Sequence, residues 1–91
     1  DELVYPHLVR ATDIDMGRHM NNVVYIRLLL DCFSAKELAS DMIRTIEAHY
    51  ASPCLEGETL GVFCRREEGR CRMAVKHADG RPAVLAQVIF G

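Results

Sequence analysis

The segment from Val23 to Phe33 has apolar residues around almost its whole circumference when it is wound as a helix. Val23, Val24, Ile26, Leu28, Leu29, Leu30, Cys32 and Phe33 leave only a narrow polar stripe that carries Arg27 and Asp31. A surface helix shows water one polar face, so a helix with so little of one belongs in the middle of something. The chain has 91 residues, which leaves no room for a second core. One domain over residues 1–91 is therefore expected, with the rest of the chain folded around this helix.

The rest reads mostly as strand. Leu3 to Val9 is rich in β-forming residues, and Pro6 within it suggests an edge or a bulge. The polar segment Ala11 to His19 makes a turn, with Asn21 and Asn22 as candidate caps of the helix. Ser34 to Leu38 forms a further helical turn capped by Ser34. Period-two patterning then predicts strands at Met42 to Ala51, Glu58 to Arg65, Arg70 to His77 and Arg81 to Phe90. Ser52-Pro53 interrupts the first of these, and Glu56-Gly57, Glu68-Gly69 and Asp79-Gly80 supply turns. The order is strand, helix and four strands: an α+β domain whose antiparallel sheet curls around a central helix. Short connections make the four strands mostly antiparallel neighbours. An open sheet edge invites a second copy, so a dimer is expected.

Several function classes fall away on composition. The net charge is −2 and the pI about 6.1, with no basic stripe for nucleic acid. Arg65, Arg66, Arg70 and Arg72 are interleaved with Glu67 and Glu68, as at a solvated hairpin tip. Cys32, Cys54, Cys64 and Cys71 contain no C-x-x-C pair, and His7, His19, His49 and His77 are scattered, so no metal site is expected. Cys64 and Cys71 flank a turn and are close enough in sequence for a disulfide. Reduced thiols in a cytoplasmic protein are the preferred reading. No signal peptide is expected. The apolar run, broken by Arg27 and Asp31, is too short to span a membrane.

The chemistry concentrates just before the helix. Thr12 to Tyr25 packs Asp13, Asp15, Gly17, His19, Asn21 and Asn22 into a short polar stretch ahead of an apolar helix. Helix N-termini present unpaired N–H groups and the positive end of the dipole, which suits an anion or a polarised carbonyl. On residue type alone, Asp13 and Asp15 also read as turn or capping carboxylates. His19 reads equally as a loop hydrogen-bonder. Cys54 reads as a small hydrophobe near a strand end, Tyr25 as packing between helix and sheet, and Gly17 as a site of positive φ or close approach to a ligand.

The run Asp13-Ile14-Asp15 followed by His19-Met20-Asn21-Asn22-Val23-Val24-Tyr25 resembles that of hotdog-fold thioesterases. More narrowly, it is similar to the second hotdog domain of acyl-acyl carrier protein thioesterases, whose D-x-D-x-N-x-H-x-N-N-x-x-Y pattern it matches except at Gly17. Ile46-Glu47 and Gly57-Glu58-Thr59-Leu60 match the family's strand, turn and strand after the helix. The resemblance implies a single hotdog domain that hydrolyses acyl thioesters of coenzyme A or acyl carrier protein. It implies a homodimer or dimer of dimers with sites between subunits, and no cofactor. It places Asp15 as base or nucleophile, His19 as its assistant, and the N–H groups around Asn21 and Asn22 as holders of the carbonyl oxygen. Gly17 stands where the family has a catalytic Asn. Cys54 aligns with a cysteine of the plant enzymes, with Pro53 replacing the adjacent glutamate. The rival reading is a hotdog module that binds acyl thioesters or small apolar ligands without turnover. Hydratases of the same fold carry a different motif, which has no good match here.

Overall fold

Asn21 starts the helix. In the computed structural model, which describes residues 2–40 and 42–91, its side chain accepts a hydrogen bond from the Val23 N–H at 2.8 Å. That is the geometry of an N-cap, and it decides between the two asparagines: Asn22 is the first helical residue. Helix α1 runs Asn22–Leu30, three residues short of the expected Phe33. Its last turn tightens instead, with Cys32 N–H on Leu29 O and Phe33 N–H on Leu30 O. A second helix, α2 (Ala35–Ser40), begins with a reciprocal cap between Ser34 and Glu37.

The strands are β1 (Glu2–Leu8), β2 (Ile43–Tyr50), β3 (Thr59–Glu67), β4 (Arg70–Lys76) and β5 (Pro82–Phe90). All pair antiparallel in one sheet of order β1-β3-β4-β5-β2. The expected element order is borne out, but β2 and β3 are not neighbours. β2 pairs with β5 at one edge, while β3 lies beside β1 near the other. The reason is the connection over residues 51–58, which is a crossing segment and not a hairpin turn. Ala51 N–H reaches Ala83 O, Cys54 O receives Met20 N–H, and Gly57 N–H reaches Val9 O.

The true hairpins sit at Glu68-Gly69 and Asp79-Gly80, where Gly69 and Gly80 take positive φ of 76° and 91°. At the first, Arg65, Arg70 and Arg72 all pair with Glu67, as expected of a solvated tip, while Arg66 reaches across to Glu37. In the β3–β4 register Cys64 faces Met73 and Cys71 faces Arg66, so the two thiols are diagonal neighbours. All four cysteines are free.

The core is one cluster in which Leu28 and Leu29 of α1 meet Leu60, Val62, Val75, Val84 and Val88 of the sheet. Burial of that kind, about 1.5–3 kcal/mol per large aliphatic side chain, holds the helix in place. Tyr5 adds a polar tie, its hydroxyl donating to Leu28 O. The helix is not enclosed on every side, however. Val23 is 74% exposed, and Ile26 and Leu30 are half-buried. The sheet covers only one face of α1. Among the described residues, no helix is long and apolar enough to cross a membrane.

Candidate active site

The polar loop is built on Asp13. After a 3-10 turn at Ala11–Asp13, the Asp13 side chain points inward and is 5% exposed. Its Oδ2 accepts from the Arg10 N–H at 3.1 Å and from His7 Nε2 at 2.8 Å, and Arg27 stands 3.6 Å from Oδ1. Burial pushes this carboxyl up. The Arg10 N–H, His7 and the Arg27 charge outweigh that and hold it below the usual carboxylate range. Asp13 O also accepts the Asn21 N–H at 2.9 Å. Asp13 thus fastens β1, the loop and the start of α1 together, a structural role.

Beyond Asp13 the chain turns back on itself. Ile14 and Met20 form an isolated antiparallel bridge, and Asp15 N–H donates to His19 O at 3.0 Å. Asp15 and His19 therefore face each other across the neck of a small exposed loop. Arg18 N–H bonds Asp15 O at 3.0 Å, and Gly17 N–H donates to Asp15 Oδ1 at 2.9 Å. The expected positive φ is not at Gly17 but at Arg18, where φ is 65°. The close approach is real but internal: a Cβ on Gly17 would lie 3.2 Å from Asp15 Oδ1. A side chain at position 17 would crowd the carboxylate that the loop displays.

At the start of α1, the Asn21 N–H is taken by Asp13 O, Val23 N–H by the Asn21 side chain, and Val24 N–H by Asn21 O. Among the described residues only the Asn22 N–H of this group has no acceptor. Asn22 and His19 line one cavity of about 260 Å³, together with Met20, Tyr25, Tyr50, Ala51, Ser52 and Pro53. Asp15 and Gly17 are on the exposed loop beside it, and neither they nor Asn21 and Cys54 form its wall. Cys54 is fully buried, and burial pushes its thiol up, which disfavours the reactive thiolate. Tyr25 is buried as expected, and its hydroxyl oxygen accepts the Cys54 N–H at 3.2 Å. A larger recess, about 620 Å³, lies by β1 and β3 and contains none of the loop residues. Its Cys32 thiol is pushed up to about 12, first by burial and then by Cys64 nearby.

A second polar cluster borders the first cavity. His77, 6% exposed, places Nε2 2.8 Å from Ser52 Oγ and Nδ1 2.6 Å from Glu58 Oε1. Leu55 N–H donates to the other Glu58 oxygen at 2.6 Å, and Pro82 O lies 2.8 Å from Ser52 Oγ. Burial pushes the Glu58 carboxyl up, but His77 and the Leu55 N–H outweigh it, so the group stays below the usual range. Cys54, Glu58 and His77 offer ligand atoms within 4.8 Å of one another. Glu58 and His77 already satisfy each other and the Cys54 thiol is kept protonated by burial, so the set fits a hydrogen-bonded cluster better than a metal. Sequence spacing gave no sign of this grouping: Ser52 and His77 are 25 residues apart, Glu58 and His77 19.

The family model described as the acyl-ACP thioesterase C-terminal domain matches residues 2–89. Comparison with curated proteins gives no match. Among solved structures, an acyl-ACP thioesterase from Bacteroides thetaiotaomicron superimposes with a TM-score of 0.92 at 27% identity, over 99% of this chain and 37% of that one. A 12:0-ACP thioesterase from Umbellularia californica gives 0.85 at 18% identity, over 98% of this chain and 35% of the other. A Staphylococcus aureus protein solved with CoA gives 0.85 at 16% identity, over 99% and 75%. The fold is the hotdog fold of thioesterases, and the chain spans little more than a third of the two acyl-ACP thioesterases it resembles.

Proposed function

This chain belongs to the family of acyl-ACP thioesterase C-terminal domains, and from that membership we propose that it hydrolyses acyl thioesters at the cavity walled by His19 and Asn22. The observation that carries the reading is that Asn22, whose N–H has no acceptor at the start of α1, lines the same cavity as His19. A thioester carbonyl placed there would direct its oxygen at a fixed donor. One such donor is worth about 3–4 kcal/mol toward an oxyanion. Asp15 acts as the base that polarises the attacking water, and His19, bonded to it backbone to backbone, helps to place that water. Carbon–sulfur cleavage then releases a carboxylic acid and a thiol.

Coenzyme A and acyl carrier protein are the proposed carriers of the acyl group. The Staphylococcus aureus protein, solved in complex with CoA, and the Umbellularia californica 12:0-ACP thioesterase support that class. A second copy of this chain would complete the site. The unpaired edge of β2, exposed Tyr50 on the face that carries α1, and the uncovered Val23 on α1 supply an apolar surface for it. The four free thiols accord with a cytoplasmic location.

A second reading has its own support. The Asp15 carboxylate accepts from Gly17 N–H and lies off the cavity wall. A module that binds acyl thioesters without turnover would need no more than this. The two are separated by following free thiol by mass spectrometry over short, medium, long and aromatic acyl-CoA substrates. Catalytic release from at least one of them supports hydrolysis. Stabilisation of the fold by the acyl-CoA panel with no release from any supports binding alone.

A further inference from the structure

Ser52, His77 and Glu58 come from the crossing segment, the residue just after β4 and the approach to β3, and they meet in a single file of hydrogen bonds beside the cavity. We propose that Ser52 is a nucleophile, activated by His77 and oriented through Glu58, that accepts the acyl group before water does. The inference rests on the thioester reading above and assigns the reacting atom within it.

Proton positions follow from the contacts. The ionised Glu58 carboxylate accepts hydrogen bonds only, so His77 Nδ1 carries a proton and donates it at 2.6 Å. Nε2 then faces Ser52 Oγ at 2.8 Å. With Nε2 bare, the Ser52 hydroxyl donates to it. With Nε2 protonated, it donates to Oγ, and the hydroxyl proton turns to Pro82 O, also at 2.8 Å. Both protonation states are fully paired, so the proton can move from Oγ to Nε2 without stranding a buried polar atom. Glu58 is itself fixed by the Leu55 N–H. Nucleophile, base and orienting acid are all within hydrogen-bond reach, which is the diagnostic arrangement of an activated serine. A structural tie explains the bonds but not their place: Ser52 is half-buried and lines the cavity that Asn22 also lines.

The step balances. Ser52 Oγ adds to the thioester carbonyl carbon as its proton passes to Nε2, and the oxyanion faces the Asn22 N–H. The C–S bond breaks with its electron pair on sulfur, which takes the proton from Nε2 and departs as free thiol. Water polarised by Asp15 then attacks the Ser52 ester. Its proton passes to Nε2 and on to Oγ as the C–O bond breaks, which frees the carboxylic acid and restores the serine. Glu58 acts through His77 and is a positioning residue.

The test treats the intact protein with an alkyl fluorophosphonate, which phosphonylates activated serines and needs no thioester. Peptide mass spectrometry should place the label on Ser52. Ser52→Ala should abolish labelling and lower thiol release by at least about 100-fold with an unchanged thermal midpoint. Glu58→Gln should slow labelling by about 10-fold or more without changing the reagent concentration at half saturation. Folded wild-type protein that leaves Ser52 unlabelled, or Ser52→Ala protein that releases thiol at the wild-type rate, overturns the proposal. Labelling of Ser52 in a protein that hydrolyses no thioester would uphold the activated serine and sink the thioester reading alone.

Discussion

The two aspartates of the polar loop show how environment divides residues of one type. Asp13 is buried and fully bonded, while Asp15, two residues on, is displayed on an exposed loop. Residue type alone read both as turn or capping carboxylates, and only the family resemblance set Asp15 apart from Asp13. Residue type and spacing did not show that Arg18 would take the left-handed conformation expected of Gly17, because that depends on the Ile14–Met20 bridge closing the loop. Nor did they single out Ser52, Glu58 and His77, which only the folded sheet brings together. The Asp13 pairing has a consequence for pH. Its carboxyl is held below the unfolded value of about 4, so its contribution is fully present above that pH and is lost as pH falls through the lower folded value. Stability should therefore drop below about pH 4, with Glu58 acting in the same direction. In Asp13→Asn, urea midpoints measured from pH 7 to 3 should fall less steeply than in the wild type. An identical slope would remove Asp13 from the account.

At the scale of elements, α1 is set by its cap as much as by its apolar content. Asn21 closes the Val23 N–H with its side chain and the Val24 N–H with its carbonyl. Asn21→Ala should cost about 1 kcal/mol, or roughly 4–8 °C in the thermal midpoint of a domain this size, read by circular dichroism. The helix, the four later strands and two hairpins were legible because periodicity and Gly-containing turns are local signals. The place of β2 was not. Ser52-Pro53 marked an interruption, yet local pattern says nothing about whether the chain then reverses or crosses the sheet. It crosses, and the crossing brings Ser52 and Pro53 to the cavity wall opposite Asn22. The site owes its form to the one connection that local reasoning misread.

For the whole molecule, the apolar girth of α1 exceeds what one sheet can cover. Val23 stands exposed at one end of the helix, and Tyr50 is exposed on the same side of β2. A second copy paired along β2 would remove that surface from water. Sedimentation equilibrium at micromolar concentration should then give twice the 10.3 kDa chain mass, or four times it for a dimer of dimers. An Ala48→Pro change, at a position whose N–H points away from β5 to the open edge, should shift the mass toward that of the monomer. A monomeric wild type would mean that the cavity works with the walls one chain supplies.

The central claim is that the loop beside α1 acts on the attacking water through Asp15, and steady-state thiol release by Asp15→Asn tests it most directly. Asparagine keeps an oxygen that can accept the Gly17 N–H while it removes the charge, so the loop should stay folded. The account predicts wild-type turnover of an acyl-CoA and a loss of about 100-fold or more in kcat in the variant, at an unchanged melting temperature. A folded Asp15→Asn protein that releases thiol at the wild-type rate would contradict it.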